Sequence, residues 1–267
     1  VTRNITAQTL LNINRRPLGG GVSVGGMLGN SIRDDKSDIH AMNGRDFLYT
    51  DFKSINNTVQ RAPRTTLTQR RLVSAFGQAV FDYNNYLFVT VTGRNDWTST
   101  IPVERNSFFY PSISTSFVFS DAFPSLGRHV TGKLRAAYAE VGKDARPYAY
   151  SQALEFKTTS YGGFGYGFWG PNPNLRPEFA TSYEFGSDLA FLQDRLGVDV
   201  TWYRKQTRDQ IVNDVRASYG TGFILVNLNG ARTRNQGLEL TLRGTPLQTR
   251  TSSWDVVTNF TRARGTV

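Results

Sequence analysis

Eight charged side chains recur at alternate positions of strand-like runs, and that spacing carries the clearest chemistry in the sequence. They are Arg94, Asp96, Arg135, Glu184, Asp188, Asp199, Glu239 and Arg243. At a period of two they share a face with Ser and Thr and stand opposite aliphatic residues. Such a face pairs acid with base and meets water or a polar solute. A second group is aromatic: Tyr161, Phe164, Tyr166, Phe168 and Trp169 crowd into one Gly-rich loop. Rings placed there can stack on sugar faces or pack on a partner, with packing inside the loop as the alternative.

Other candidates lack the surroundings their chemistry needs. Gly165-Tyr166-Gly167-Phe168-Trp169-Gly170 spells G-x-G-x-x-G, but Pro171-Asn172-Pro173 follows. The fingerprint requires a helix at that point, so no cofactor is expected. His40 and His129 lie in separate loops with no ligand pattern around them. Asp34, Asp35 and Asp38 lack the glycine spacing of a calcium loop, and no metal is expected. No Ser, His and Asp set or paired-acid constellation stands out, so the chain does not read as an enzyme.

The elements that position these residues are strands. Arg70 to Trp97 forms two alternating runs around Asn84-Asn85, a dipeptide that tolerates the left-handed angles of a two-residue hairpin. In the second run Leu87, Val89 and Val91 share one face; Phe88, Thr90, Thr92, Arg94 and Asp96 share the other. A soluble sandwich and a membrane barrel both build such hairpins. Ten strands are predicted: 5–14, 20–30, the two of the central hairpin, 108–120, 132–141, 181–191, 196–205, 234–244 and 252–262. Residues 31–69, 143–178 and 208–230 lose periodicity and read as long loops. Short links are expected at Arg15-Arg16-Pro17, Gln193-Asp194 and 245–250.

The 267 residues hold 25 glycines and no cysteine, and aromatics make up 13%. That composition suits many turns and short strands, and it excludes disulfides and thiolate metal sites. No apolar run approaches the ~18 residues of a spanning helix, but a barrel strand needs only ~9–11. The formal charge of +10 is scattered, with no dense run and no groove-reading helix, which argues against nucleic acid. A solvated basic surface, lipopolysaccharide phosphates or an anionic substrate fit it better. The chain begins Val1-Thr2-Arg3 and reads as an excerpt of something longer.

The connections alternate short and long along the chain, which puts the tight turns at one rim and the long loops at the other. Outer-membrane barrels show this asymmetry, whereas a sandwich has no reason to sort loops by end. The reading is therefore all-β: an antiparallel up-and-down meander of about ten strands from a larger transmembrane barrel. The eight charges above are then lumen-facing. The alternative is a soluble β-sandwich that binds carbohydrate with its long loops.

Four segments carry a resemblance. RLVSAFGQAVFDYNNYLFVTVTGRNDWTS resembles the strand–turn–strand signature of the SusC/RagA-like TonB-dependent outer-membrane transporters. FFYPSISTSFVFSDAF with GKLRAAYAEVGKDARPY, then NPNLRPEFATSYEFGSDLAFLQDRLGVDVTWYRKQTRDQI, then GFILVNLNGARTRNQGLELTL, follow in the family's order. The similarity covers roughly residues 70–264. Arg94-Asn95-Asp96-Trp97-Thr98-Ser99 departs from the commoner Arg-Asp-Gly-Ser-Ser form. The resemblance implies that 1–267 is part of a barrel of ~22 strands, lacking its plug and terminal strands. It implies import of bulky oligosaccharide or peptide, a SusD-like surface lipoprotein as lid, TonB engaged by a segment not in this chain, and residence in the bacterial outer membrane among lipid and lipopolysaccharide. Structural packing or contact with substrate or lid stay open for the aromatic loop.

Overall fold

The computed structural model describes residues 1–127, 129–151, 154–157 and 163–267. Ten long strands run as one antiparallel meander, β1 (Thr2–Gly19), β2 (Val22–Phe47), β3 (Thr58–Tyr83), β4 (Leu87–Thr98), β5 (Ser107–Val118) and β6 (Val130–Lys143), then β10 (Glu178–Phe191), β11 (Leu196–Arg216), β12 (Leu225–Gln248) and β13 (Ser253–Thr266). The connection from β6 to β10 holds three short strands. β7 (Leu154–Lys157) and β8 (Gly163–Tyr166) pair with each other, and β9 (Trp169–Gly170) pairs in parallel with β12 at Leu225 and Val226. The sheet is open, with β1 and β13 at its edges.

Register fixes the two faces. Val91 sits opposite Ala79 on one side and Ile113 on the other, and Ile113 opposite Tyr138; Tyr138 faces Tyr183 in turn. Cross-strand partners share a face, so this side carries Phe81, Val91, Ile113, Leu134, Phe185, Trp202 and Leu242. All of these are more than a third exposed, Phe185 at 54%. Among the described residues no second layer covers them, which overturns the sandwich alternative: a sandwich would have buried this face. The only hydrophobic core among the described residues lies in the loops, around Ile101, Ala145, Ala149 and Leu175.

The predicted loop boundaries need correction. Residues 31–69 are mostly ladder: Asp34↔Arg71 through Phe47↔Thr58 continue the β2–β3 pairing, leaving 48–57 as the connection. At about 3.3 Å per residue, the 26 residues of β2 extend about 85 Å. The hydrocarbon core is only ~30 Å thick, so the hairpin projects far past it. Beyond the bilayer both faces of a ribbon meet water, and alternation disappears while hydrogen bonding continues. The same holds for 208–230, where β11 and β12 pair out to Arg216↔Leu225 through bulges. Residues 143–178 contain three strands rather than none. At the other rim, Arg15-Arg16-Pro17 lies inside β1, and the chain reverses at Gly20-Gly21. The last turn is 249–252 rather than 245–250.

The tight turns contact one another in sequence around that rim. Asn84 and Asn85 adopt φ of 49° and 59°, as expected of left-handed turn residues, but the link is three residues, Asn84-Asn85-Tyr86, rather than two, closed by the Tyr86 N–H on Tyr83 O at 3.1 Å. The Asn84 N–H donates to Gly21 O at 2.8 Å, and the Val118 N–H to Tyr86 O at 2.7 Å. Gly21, at φ 80°, lies against the Asn84 side chain, and a Cβ there would collide with it. Arg195 donates to the carbonyls of Thr245 and Pro246, both at 3.1 Å. The β5–β6 connection is wound into two short helical turns, Phe119–Ala122 and Pro124–Gly127.

Candidate functional site

The face opposite the aliphatic one collects the charges. Register carries it from Arg94 and Asp96 on β4 across Ser112, Ser114 and Ser116 on β5 to Arg135 on β6. It continues through Glu184 and Asp188 on β10 and Asp199 on β11 to Glu239 and Arg243 on β12. All eight predicted residues lie on this one face. Arg94 donates to Asp96 Oδ1 at 2.8 Å and to Ser74 Oγ at 2.9 Å, while the Tyr110 hydroxyl donates to Asp96 Oδ2 at 2.7 Å. Asp96 and Ser74 are buried, and the Arg94 guanidinium lies 5.5 Å from the centre of the Phe76 ring.

Arg135 reaches from β6 across β10 to Asp199 on β11 at 2.9 Å. It passes over Gly186, where a Cβ would stand 3.2 Å from Arg135 Nη2. Lys133 pairs with Asp188 at 3.6 Å, and Ser182 Oγ donates to Glu184 at 3.1 Å. Glu239 and Arg243, nearer the β13 edge, are exposed and have no side-chain partner among the described residues. Between Phe88, Arg135 and Glu184 lies a hollow of about 290 Å³, floored by Ser114, Ala137 and Gly186. Small side chains from three adjacent strands make that depression.

The long-loop rim is organised by polar knots around the small core. Arg70 donates twice to Asp144, at 2.8 Å each, and the buried hydroxyls of Thr98 and Thr100 donate to Asp144 Oδ2 at 2.6 and 2.9 Å. Burial alone would push the Asp144 carboxyl up, but the hydrogen bonds from Arg70, Thr98 and Thr100 outweigh it and hold the group below its ordinary range. Close by, Leu175 is fully buried and Asn172 Nδ2 donates to Asn227 O at 2.7 Å. Asn227, itself buried, donates to Ala149 O at 3.0 Å. The Asn172-Pro173-Asn174-Leu175 stretch is thus the plug of this cluster.

A second knot joins Arg146, Asp214 and Trp169. Arg146 Nη1 and Nη2 donate to Asp214 at 3.2 and 2.5 Å, Nη2 also donates to Asn227 Oδ1 at 3.0 Å, and the Trp169 indole N–H donates to Asp214 Oδ1 at 2.6 Å. The hydrogen bonds from Arg146 and then Trp169 draw the Asp214 carboxyl below the usual carboxylate range. Beside this knot lies a cleft of about 320 Å³ lined by Arg146, Tyr148, Ser151, Phe168, Trp169 and Asn227.

Of the five aromatic residues singled out, Tyr161 lies outside the described residues. Phe164 and Tyr166 stand on β8, 74% and 60% exposed, and the Tyr166 ring lies 5.0 Å from that of Phe223. The rings of Phe168 and Trp169 are 5.4 Å apart. Strands, not a helix, flank Gly165–Gly170. The aspartates at 34 and 35 are met by cations: Asp34 by Arg3 and Arg71, Asp35 by Arg33 and Arg70. His40 pairs with Asp38 at 3.3 Å and Thr65 at 3.2 Å. Sequence reasoning passed over Asp144, Arg146, Tyr148 and Asp214. The hydrogen-bonding triplet Asp144-Ala145-Arg146 directly after a strand was the available signal, but its partners are 44 to 81 residues away.

Comparison with known proteins places this geometry. Residues 4–267 match the family model described as TonB dependent receptor-like, beta-barrel. The chain is 28% identical to TonB-dependent receptor P39 of Formosa agariphila over 247 residues, 89% of the chain and 24% of that protein. It is 28% identical to TonB-dependent receptor SusC of Bacteroides thetaiotaomicron over 212 residues, 73% of the chain and 20% of that protein. The chain therefore spans about a quarter or less of the curated relatives it matches. Among solved structures, the RagAB peptide transporter superposes with a TM-score of 0.83 at 18% identity, covering 99% of this chain and 30% of that one. The ferric enterobactin receptor of Pseudomonas aeruginosa gives 0.63 at 20% identity, over 98% and 36%. The exposed aliphatic band and the family match agree, and the chain belongs to the TonB-dependent receptor β-barrels of the bacterial outer membrane.

Proposed function

We propose that the protein to which this segment belongs imports a bulky nutrient, an oligosaccharide or a peptide, across the outer membrane. The observation that carries the reading is the division of one continuous sheet into an exposed aliphatic face and a charged, internally paired face. In a barrel the first meets lipid and the second the lumen. On this reading Arg94, Asp96, Arg135, Glu184, Asp188, Asp199, Glu239 and Arg243 face the lumen and pair with one another, with a plug or with cargo. TonB would supply the energy through a part of the protein outside this chain, and a SusD-like surface lipoprotein would close the long-loop rim. Outer-membrane lipid and lipopolysaccharide would surround the sheet on its aliphatic side. Relatives in this family are transporters, and no enzymatic activity is proposed.

Phe164 and Tyr166 present exposed rings at the rim where a lid would sit. In the whole receptor, Phe164→Ala combined with Tyr166→Ala should reduce both uptake and copurification of the lipoprotein several-fold. Unchanged values would remove the contact role. Deletion of the whole gene should abolish growth on its cargo as sole carbon source. Undiminished growth on every oligosaccharide and peptide supplied would remove the import role.

A further inference from the structure

The cleft beside Arg146 is built unlike the rest of the rim. Two of its rings are held by their polar ends and stay about half exposed. The Tyr148 phenol oxygen accepts the Gln69 N–H at 3.2 Å, and the Trp169 indole N–H is held by Asp214 at 2.6 Å. Tyr148 is 54% exposed and Trp169 46%. Tyr148 also sits at φ 60°, a left-handed backbone that costs a non-glycine residue energy and persists where the surroundings enforce it. The Phe168 ring braces Trp169 at 5.4 Å, and both Tyr148 and Trp169 line a shared hollow of about 320 Å³, near the small end of ligand pockets at ~300–1,000 Å³.

The polar floor decides the ligand class. Arg146 is matched in charge by Asp214, and Asn227 Oδ1 takes a further hydrogen of the same guanidinium. No net charge is left for a carboxylate, sulfate or peptide terminus, and Asp214 would repel any anion that displaced the pair. The Arg146–Asp214 pair still offers a donor edge next to acceptor lone pairs. Hydroxyl groups, which both donate and accept, suit that arrangement; Ser151 adds a further hydroxyl at the wall. Half-exposed aromatic rings beside a neutral donor–acceptor floor match the two aspects of a sugar ring, its C–H face and its hydroxyl rim. The geometry points to a subsite for a neutral pyranose unit, seated between Tyr148 and Trp169 with its hydroxyls on Arg146 and Asp214. This rests on the import reading and narrows its cargo to neutral oligosaccharide.

The test uses the whole receptor, purified in detergent, with calorimetric titration of neutral hexasaccharides of glucose and of mannose, a galacturonate hexasaccharide, and a hexapeptide. At least one neutral sugar should bind in preference to the uronate and the peptide. Trp169→Ala and Tyr148→Ala should each weaken it about tenfold, the scale of one stacked ring. Tyr148→Phe, which keeps the ring, should lose less than about threefold. Heat-modifiable gel migration controls for folding of each variant. Preference for the uronate or the peptide, or neutral-sugar binding that survives both alanine variants, overturns the subsite. Peptide uptake without any sugar binding would overturn it while leaving the import reading in place.

Discussion

Asp144 shows how much one carboxylate does at the rim. It collects both arms of Arg70 and two buried threonine hydroxyls, so Asp144→Ala would strand a half-buried cation and two donors at once. Removing one partner of such a buried pair costs about 3 kcal/mol. Because its folded-state value lies below the unfolded one, the carboxylate stabilises the rim fully above the ordinary Asp range of ~3.9 and loses that contribution as pH falls through the lower folded value. Hydrogen-exchange protection of residues 144–151 in the whole receptor should therefore be flat from neutral pH to about pH 5, and collapse only below about pH 4. Collapse already near pH 6 would show that another group governs the rim. None of this was readable in advance. Arg94 and Asp96 betrayed themselves by parity within one strand, whereas Arg70, Thr98 and Asp144 come from three different segments and meet only through the fold.

At the scale of the strand, face assignment follows directly from alternation, and it has a sharp consequence. Val89→Arg or Leu240→Arg places a cation on the aliphatic side, where a residue near the bilayer midplane costs about 2–4 kcal/mol. Thr90→Arg, one position away from Val89 and beside the hollow at Phe88 and Ser114, should cost much less. Denaturant titration of the barrel refolded into lipid vesicles measures the difference; equal losses on both faces would undo the alternation. Strand identity was legible wherever the two faces meet different surroundings, as at Leu87–Trp97. It was illegible along Asp34–Phe47 and Arg208–Arg216, where the ladder runs on in water and both faces carry similar residues. The β7–β8 and β9 pieces escaped for a different reason: strands of two to four residues are too short for a period to register.

The whole sheet joins two rims of different character through one continuous ladder. Its outer edges, β1 and β13, have free backbone groups, and its aliphatic face has no cover. Expressed by itself, the 267-residue chain should require detergent and should associate through those edges. Sedimentation showing a monodisperse monomer with cooperative unfolding in detergent-free buffer would contradict this. Family membership and meander topology were visible from the four ordered segments. The architecture of the rim was not, because it depends on contacts between connections far apart along the chain.

The small hydrophobic centre at Ile101, Ala145, Ala149 and Leu175 has an evolutionary implication. Two separate connections feed it, and a third, between β11 and β12, is tied in at its two flanks through Asp214 on β11 and Asn227 on β12. A change of diet that remodelled one connection alone would leave the other two without their keystone. New cargo preferences in such a receptor would then arise through joint replacement of the three, inherited as a cassette, while the ribbons beneath stay as they are.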